Sequence, residues 1–119
     1  MPDHVSNSVR LILKPFLFDY TITKDAQHDL TEIYDYIAEQ LTAQKAAADL
    51  MAEIESSIMN LADFPYSSPA FSDDYLKLLR YRKLIIKKYI VVYSVSDEKK
   101  EIDILRIFYG PSDYMKYLL

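Results

Sequence analysis

LLRYRKLIIKKYIVVYSVSDEKKEIDILRIFYGPSDY, running from Leu78 to Tyr114, is the stretch that decides the fold. It reads as β-branched and aromatic runs separated by charged breaks and closed by a Tyr-Gly-Pro turn. The runs are about Leu76 to Ile86, Tyr89 to Val95 and Glu101 to Tyr109. Lys87-Lys88 and the segment Ser96 to Lys100 link them, so a three-stranded antiparallel meander is expected.

Upstream of the meander the apolar period changes from two residues to that of a helix. Ala26, Leu30, Ile33, Tyr34, Ile37 and Leu41 fall on one helical face with acids opposite, and Thr23 is placed to cap the N-terminus. After Thr42, a second stripe of Ala47, Leu50, Met51, Ile54, Ile58 and Leu61 ends at Phe64-Pro65, because proline disfavours the helical state of the residue before it. So short a connection predicts an antiparallel helix hairpin. Before it, Phe16, Phe18, Tyr20 and Ile22 alternate with Leu17, Asp19 and Thr21 as a first strand. Between hairpin and meander, Pro65 to Asp74 (PYSSPAFSDD) is rich in turn formers and reads as a loop. Both helices on one face of the sheet would leave the other face concave and partly polar, the place for a ligand.

A chain of 119 residues, half of them hydrophobic, supports one core and one α+β domain, residues 16–119, behind an N-terminal extension, residues 1–15. Without cysteine there is no disulfide framework, and His4 and His28 are too far apart to suggest a metal site. A single glycine, Gly110, rules out glycine-rich phosphate cradles, so no nucleotide cofactor is expected. The apolar run Leu11 to Phe18 is interrupted by Lys14-Pro15 and is too short to span a bilayer; no membrane association is expected, and the cysteine-free composition permits a cytoplasmic location.

The net charge of -4 hides a segregation along the chain. From Asp25 to Asp63 nine acids face one base, Lys45. From Leu76 to Ser96 six bases (Lys77, Arg80, Arg82, Lys83, Lys87, Lys88) occur with no acid, interleaved with Tyr75, Tyr81, Tyr89 and Tyr93. Such a run suits phosphates or an acidic protein, or else keeps strand edges soluble. Arg106 sits among Ile102, Ile104, Leu105 and Ile107, so it needs either an open groove or an ion-pair partner, for which Asp103 and Asp113 are the candidates. Tyr109 and Tyr114 suit base stacking or acid catalysis, or simply cover a core edge. His28 lies off the apolar stripe and is assigned no role.

Taken in order, Asp29-Leu30, Ile33, Tyr36-Ile37, a helix ending Leu61-x-x-Phe-Pro, Tyr89-x-Val-Val-Tyr and Ile104-Leu-Arg-Ile-x-Tyr-Gly-x-x-Asp make the chain resemble the RelE/ParE superfamily of type II toxin-antitoxin toxins, over about residues 18 to 119. The resemblance implies an α+β fold of N-terminal strand, helix hairpin and three-stranded meander with a short tail. It implies a cognate antitoxin, hetero-oligomers with it, growth inhibition and plasmid stabilization. Members act as inhibitors of DNA gyrase or as ribosome-dependent endoribonucleases that cut mRNA. Only if the chain is an endoribonuclease, the residues it has left to serve as the catalytic set are Arg82, Lys83, Arg106, Tyr109 and Tyr114. For either target the binding set is Lys77, Arg80, Arg82, Lys83, Lys87, Lys88 and Arg106, joined for gyrase by the tail Tyr114 to Leu119. RelE-like nucleases typically carry an Arg after the Tyr that opens the third strand and a second cation just after the fourth; here those positions are Ile90 and Gly110. Pro111-Ser112 stand where ParE-like members often carry a base before the Asp. The missing nuclease cations make the ParE-like branch the expectation, with a RelE-like nuclease or an inactive partner-binding relic as alternatives.

Overall fold

The computed structural model describes residues 18–119. The expected extension 1–15, with Phe16 and Leu17 of the first strand, therefore lies outside the described residues. Strand β1 (Asp19–Ile22) leads into helix α1 (Lys24–Asp35), which continues as a π-helical turn over Tyr36–Gln40. Helix α2 (Gln44–Asp63) and a short helix α3 (Asp74–Leu78) come next. Then come β2 (Arg82–Ile86), β3 (Tyr89–Ser96), β4 (Glu101–Tyr109) and a 3-10 turn at Tyr114–Tyr117.

The four strands form one sheet in the order β1-β4-β3-β2. The meander is antiparallel as expected, while β1 joins β4 in parallel, with Asp19 opposite Glu101 and Ile22 opposite Ile104. Thr23 caps α1 by accepting from the Ala26 N–H at 3.2 Å. On α2, Leu50, Ile54, Ile58 and Leu61 are buried at helical spacing against Val91, Tyr93, Ile102, Ile104 and Ile107 of the sheet. Each such aliphatic side chain contributes about 1.5–3 kcal/mol by leaving water.

Three expectations are corrected. Leu76 to Leu78 are helical, so the second strand begins only at Arg82. The signal was the Asp73 carboxylate, which accepts from the N–H groups of Tyr75 and Leu76 at 2.9 and 3.1 Å and starts a turn that buries Leu76. That turn ends in a Schellman motif: Tyr81 N–H bonds Leu76 C=O, Arg80 N–H bonds Lys77 C=O, and Arg80 takes the left-handed position with φ 60°. Second, Leu41 leaves the core stripe. The π turn adds a residue, with Leu41 N–H bonded to Tyr36 C=O, and rotates the residues after it by about 100°. Leu41 is 56% exposed and Ala38 is buried.

Third, the sheet face away from the helices is not left open. A bulge between Val92 and Tyr93 leaves Leu105 without an opposite residue, since Val92 faces Arg106 while Tyr93 faces Ile104. Beyond it, Ile90, Val92 and Phe108 build a second apolar cluster with Phe71 and Leu76, and Tyr81, Leu105, Tyr114, Met115 and Leu118 pack on it. The tail therefore covers core with Met115 and Leu118, while Tyr117 and Leu119 stay exposed.

Candidate functional site

Residues adjacent on a strand point to opposite faces, and that alternation divides the basic run. Arg82 turns toward the loop after α2: its Nε donates to the Ser68 carbonyl at 2.9 Å, its Nη2 to the same oxygen, and its guanidinium lies 5.2 Å from the centre of the Tyr66 ring. Lys83 goes to the other face, 5.3 Å from the Phe71 ring centre. Lys77 and Arg80 belong to α3 and its terminating turn, where with Arg82 they line a depression of about 600 Å³ that also holds Asp97 and Glu98. At the opposite end of β2, Lys87 and Lys88 form the turn into β3, and Lys87 reaches Glu53 of α2 at 3.5 Å. Six bases close in sequence thus occupy two ends and both faces of the sheet.

Tyr66 sits at the first of these ends and donates its hydroxyl to Asp97 at 2.7 Å. That hydrogen bond, with a smaller contribution from burial, raises the phenol above its ordinary pKa.

Arg106 has a partner, and it is neither Asp103 nor Asp113. Asp29 of α1 receives Arg106 Nε at 2.8 Å and Nη2 at 3.0 Å, a bidentate pair, and also the Ile107 N–H at 2.9 Å. Asp103 instead accepts from Thr21 at 2.7 Å. The pair raises the Arg106 pKa, chiefly through the hydrogen bonds to Asp29. The carboxylate side chain is only 7% exposed and the guanidinium side chain 29%. Over its outer face Arg106 lies 4.6 Å from the Phe108 ring centre and 5.8 Å from that of Tyr117.

The location of this pair is set by where β1 stops. β4 runs five residues beyond the last one paired with β1, from Leu105 to Tyr109. Thr23 covers the first exposed groups of that edge: its N–H bonds Ile104 C=O at 3.1 Å and its Oγ1 bonds Leu105 C=O at 3.0 Å. Asp29 then takes the Ile107 N–H.

Past Asp29, α1 and the edge of β4 diverge into a groove of about 750 Å³. One wall is Ile33, Tyr36, Ile37 and Leu41; the other is Phe108, Tyr109 and Tyr117. Tyr89 and Tyr109 meet edge to face at 5.7 Å, and burial, then the neighbouring phenols of Tyr109 and Tyr36, raise the Tyr89 pKa. His28 stands at the rim, 2.9 Å from Glu32.

Among the expected site residues, Lys83 and Arg106 share one row of the far face, separated by Val92. Tyr114 stacks on Phe108 at 5.5 Å, as does Tyr117 at 5.9 Å. Tyr109 lines the groove, and Lys77, Arg80, Lys87 and Lys88 are not brought to either place. Asp29 and Tyr36 stand in the sequence only as landmarks of the resemblance and Leu41 only as part of the helix stripe, and none of the three is an expected site residue. An acid three residues after Ala26 on the apolar stripe, answering an arginine inside an apolar strand, was the signal for Asp29; nothing local announced the π turn. Among the described residues there is no group of acids and histidines able to hold a metal, and no helix is long and apolar enough to cross a membrane.

Comparison with known proteins places this geometry. No curated protein matches the chain. Among solved structures, the chromosomal ParDE toxin-antitoxin system from P. aeruginosa superposes with a TM-score of 0.61 at 23% identity, covering 76% of this chain and 92% of that one. The RelBE2 toxin-antitoxin complex from Mycobacterium tuberculosis gives 0.56 at 18% identity, with 78% and 98% covered. These likenesses concern the fold. The family model of the ParE toxin of the type II toxin-antitoxin system parDE matches residues 20–114. With the strand, helix hairpin and meander in the expected order, the chain belongs to the ParE toxin family of type II toxin-antitoxin systems.

Proposed function

We propose that this chain is a ParE-like toxin that acts by binding a protein target such as DNA gyrase, catalyses no reaction, and is neutralised by an antitoxin seated in the groove between α1 and β4. The carrying observation is the commitment of its two strand arginines. RNA cleavage without a metal needs a base at the 2'-hydroxyl, cations at the scissile phosphate and an acid at the leaving oxygen, all converging. Arg82 is tied to the Ser68 carbonyl and Arg106 to Asp29, so both guanidinium groups already serve the fold.

The groove offers what a protein partner covers: Tyr36 at 57% exposure, Leu41 and Tyr117, with a guanidinium among them. The structural neighbours from P. aeruginosa and M. tuberculosis are toxin-antitoxin systems, which supports an antitoxin as partner and a hetero-oligomer as the complex. The exposed bases Lys77, Arg80 and Lys88, with the tail Tyr114 to Leu119, are the contacts for the target. Growth inhibition in the cytoplasm, and plasmid stabilization where the pair is plasmid-borne, are consequences of this reading. The endoribonuclease alternative rests on the row of Lys83 and Arg106 beside the Tyr114–Phe108 stack.

The test adds the purified chain to a gyrase supercoiling reaction and, separately, to a coupled translation reaction. Blocked supercoiling with intact messenger is the expected result. Cleaved messenger with normal supercoiling would overturn it in favour of the nuclease, and no effect on either would leave a toxin-like protein that only binds its partner.

A further inference from the structure

Large apolar side chains left exposed among the described residues fall mainly into two sets. Tyr36, Leu41, Tyr109 and Tyr117 line the groove. Phe64, Tyr66, Tyr75, Leu78 and Leu79 lie between residues 64 and 79, on the loop after α2 and on α3 with its cap. This second set stands on a fixed mount. Lys83 N–H bonds the Pro69 carbonyl at 3.0 Å and Phe71 N–H the Tyr81 carbonyl at 3.1 Å, so the loop adds to the outer edge of β2. The Tyr93 hydroxyl donates to the Pro65 carbonyl at 3.1 Å, and Phe71 and Leu76 anchor loop and helix in the second apolar cluster. Side chains presented from a surface so tied lose little freedom when a partner covers them. Of the apolar residues on α3, only Leu76 enters the core; Tyr75, Leu78 and Leu79, three and four residues apart, share the outer side, and Leu78 is 82% exposed.

The two sets are surrounded by charge of opposite sign. Glu32, Asp35 and Glu39 are exposed along the helix wall of the groove, where Arg106 is neutralised by Asp29. Leu78 instead stands between Lys77 and Arg80 in sequence, and those two with Arg82 outnumber Asp97 and Glu98 around the depression of about 600 Å³. Arg82 is tied to the Ser68 carbonyl, Asp97 accepts from Tyr66, Asp73 is taken up by its cap, and Asp74 lies at the opposite end of α3. Lys77 and Arg80 are exposed, and neither lies within ion-pair distance of an acid among the described residues. Arg80 also holds a φ of 60°, where glycine would be free of strain; residues kept in that region cluster at functional sites.

We propose that α3, with Leu78 at the centre and Lys77 and Arg80 beside it, is the surface that docks the protein target, and that it takes a target face of apolar residues ringed by Asp or Glu. This rests on the reading of the chain as an inhibitor that binds a protein, and adds where it binds and by what chemistry: the apolar centre supplies the anchor, and the flanking cations select an acidic rim. β3 spans eight residues, about 20–25 Å, from Tyr89 at the groove to Ser96 at the depression, so target and antitoxin address separate surfaces.

The experiment titrates the purified full-length chain, Leu78→Gln, Arg80→Gly and Lys45→Gln into a gyrase supercoiling reaction. Leu78→Gln keeps a good helix former at an exposed position, Arg80→Gly relieves the left-handed strain, and thermal unfolding checks that both fold. Lys45→Gln removes one positive charge from an exposed position on α2. Leu78→Gln and Arg80→Gly are each expected to raise the concentration for half-inhibition about tenfold, with Lys45→Gln unchanged. Inhibition retained by both folded variants would overturn the docking surface and leave the inhibitor reading intact. Loss with Leu78→Gln alone would overturn the acidic rim, loss with Arg80→Gly alone the apolar anchor, and a matching loss with Lys45→Gln would reduce the effect to net charge and overturn the site. A wild-type chain that leaves supercoiling untouched would overturn the inhibitor reading, and this proposal with it.

Discussion

Replacing Asp29 with Ala removes three contacts at once: Arg106 Nε at 2.8 Å, Arg106 Nη2 at 3.0 Å and the Ile107 N–H at 2.9 Å. Ile107 is buried, so its orphaned N–H costs about 1–3 kcal/mol. Arg106 keeps 29% of its side chain exposed and can rehydrate, which limits loss of the pair itself to about 1 kcal/mol. Alanine returns roughly 0.5 kcal/mol of helix propensity relative to aspartate. The net is about 1.5–3.5 kcal/mol, a fall in Tm of roughly 6–20 °C for a domain of this size. Asp29→Asn keeps an acceptor for Ile107 and should lose less than Asp29→Ala. Arg106→Met leaves the packing stem over Phe108 but strands a carboxylate that is 7% exposed, so it too should destabilise. The measurement is a double-mutant cycle by chemical denaturation, with a coupling of about 1 kcal/mol or more expected between the two positions. A fall of less than about 3 °C for Asp29→Ala, or strictly additive single and double variants, would refute the stabilising role given to the Asp29–Arg106 pair. If Arg106 instead served RNA, Arg106→Met would abolish cutting with its stability nearly unchanged.

Gly110→Ala should destabilise by about 1 kcal/mol in a denaturant titration. A Cβ there would stand 3.0 Å from the Lys88 carbonyl oxygen, a backbone atom that must move to make room. Arg80→Gly should raise Tm by a few degrees, because an L-residue at φ 60° bears strain that glycine does not; an unchanged or lower Tm would contradict the left-handed cap. Tyr66 and Tyr89 have raised phenol pKa values, so each favours its neutral form when folded. Their stabilisation is complete below the unfolded tyrosine pKa of about 10 and is lost as pH rises from there through the raised folded values. The Tyr66→Phe/Tyr89→Phe double variant should therefore lose stability less steeply than the parent when denaturant midpoints are compared across that alkaline range.

How much of the candidate site could be read before folding depended on the range of the interaction. The Thr23 cap, the α2 stripe ending at Phe64-Pro65, and β3 and β4 rest on neighbours within a few residues, and all are present. The Asp73 cap is equally local, but the β-rich run after it draws the expected strand too far upstream. Arg106 stands out in the sequence as a residue in need of a partner, yet nothing within reach of its own strand identifies Asp29, 77 positions away.

The sequence alone determined the order of elements, the faces of the helices, the absence of a glycine-rich phosphate loop and the family resemblance, because these depend on periodicity, turn chemistry and motif spacing along a single chain. Only the tertiary structure decided where the charges went. Strand alternation sent Arg82 and Lys83 to opposite faces, and the turn at Lys87-Lys88 carried two more bases to the far end. It also decided that β1 would stop at Ile22 while β4 continued to Tyr109, and the open edge this left is what Asp29 caps and the groove exposes. Such outcomes belong to pairings between distant segments, where a residue's role is set by the neighbour that packing supplies.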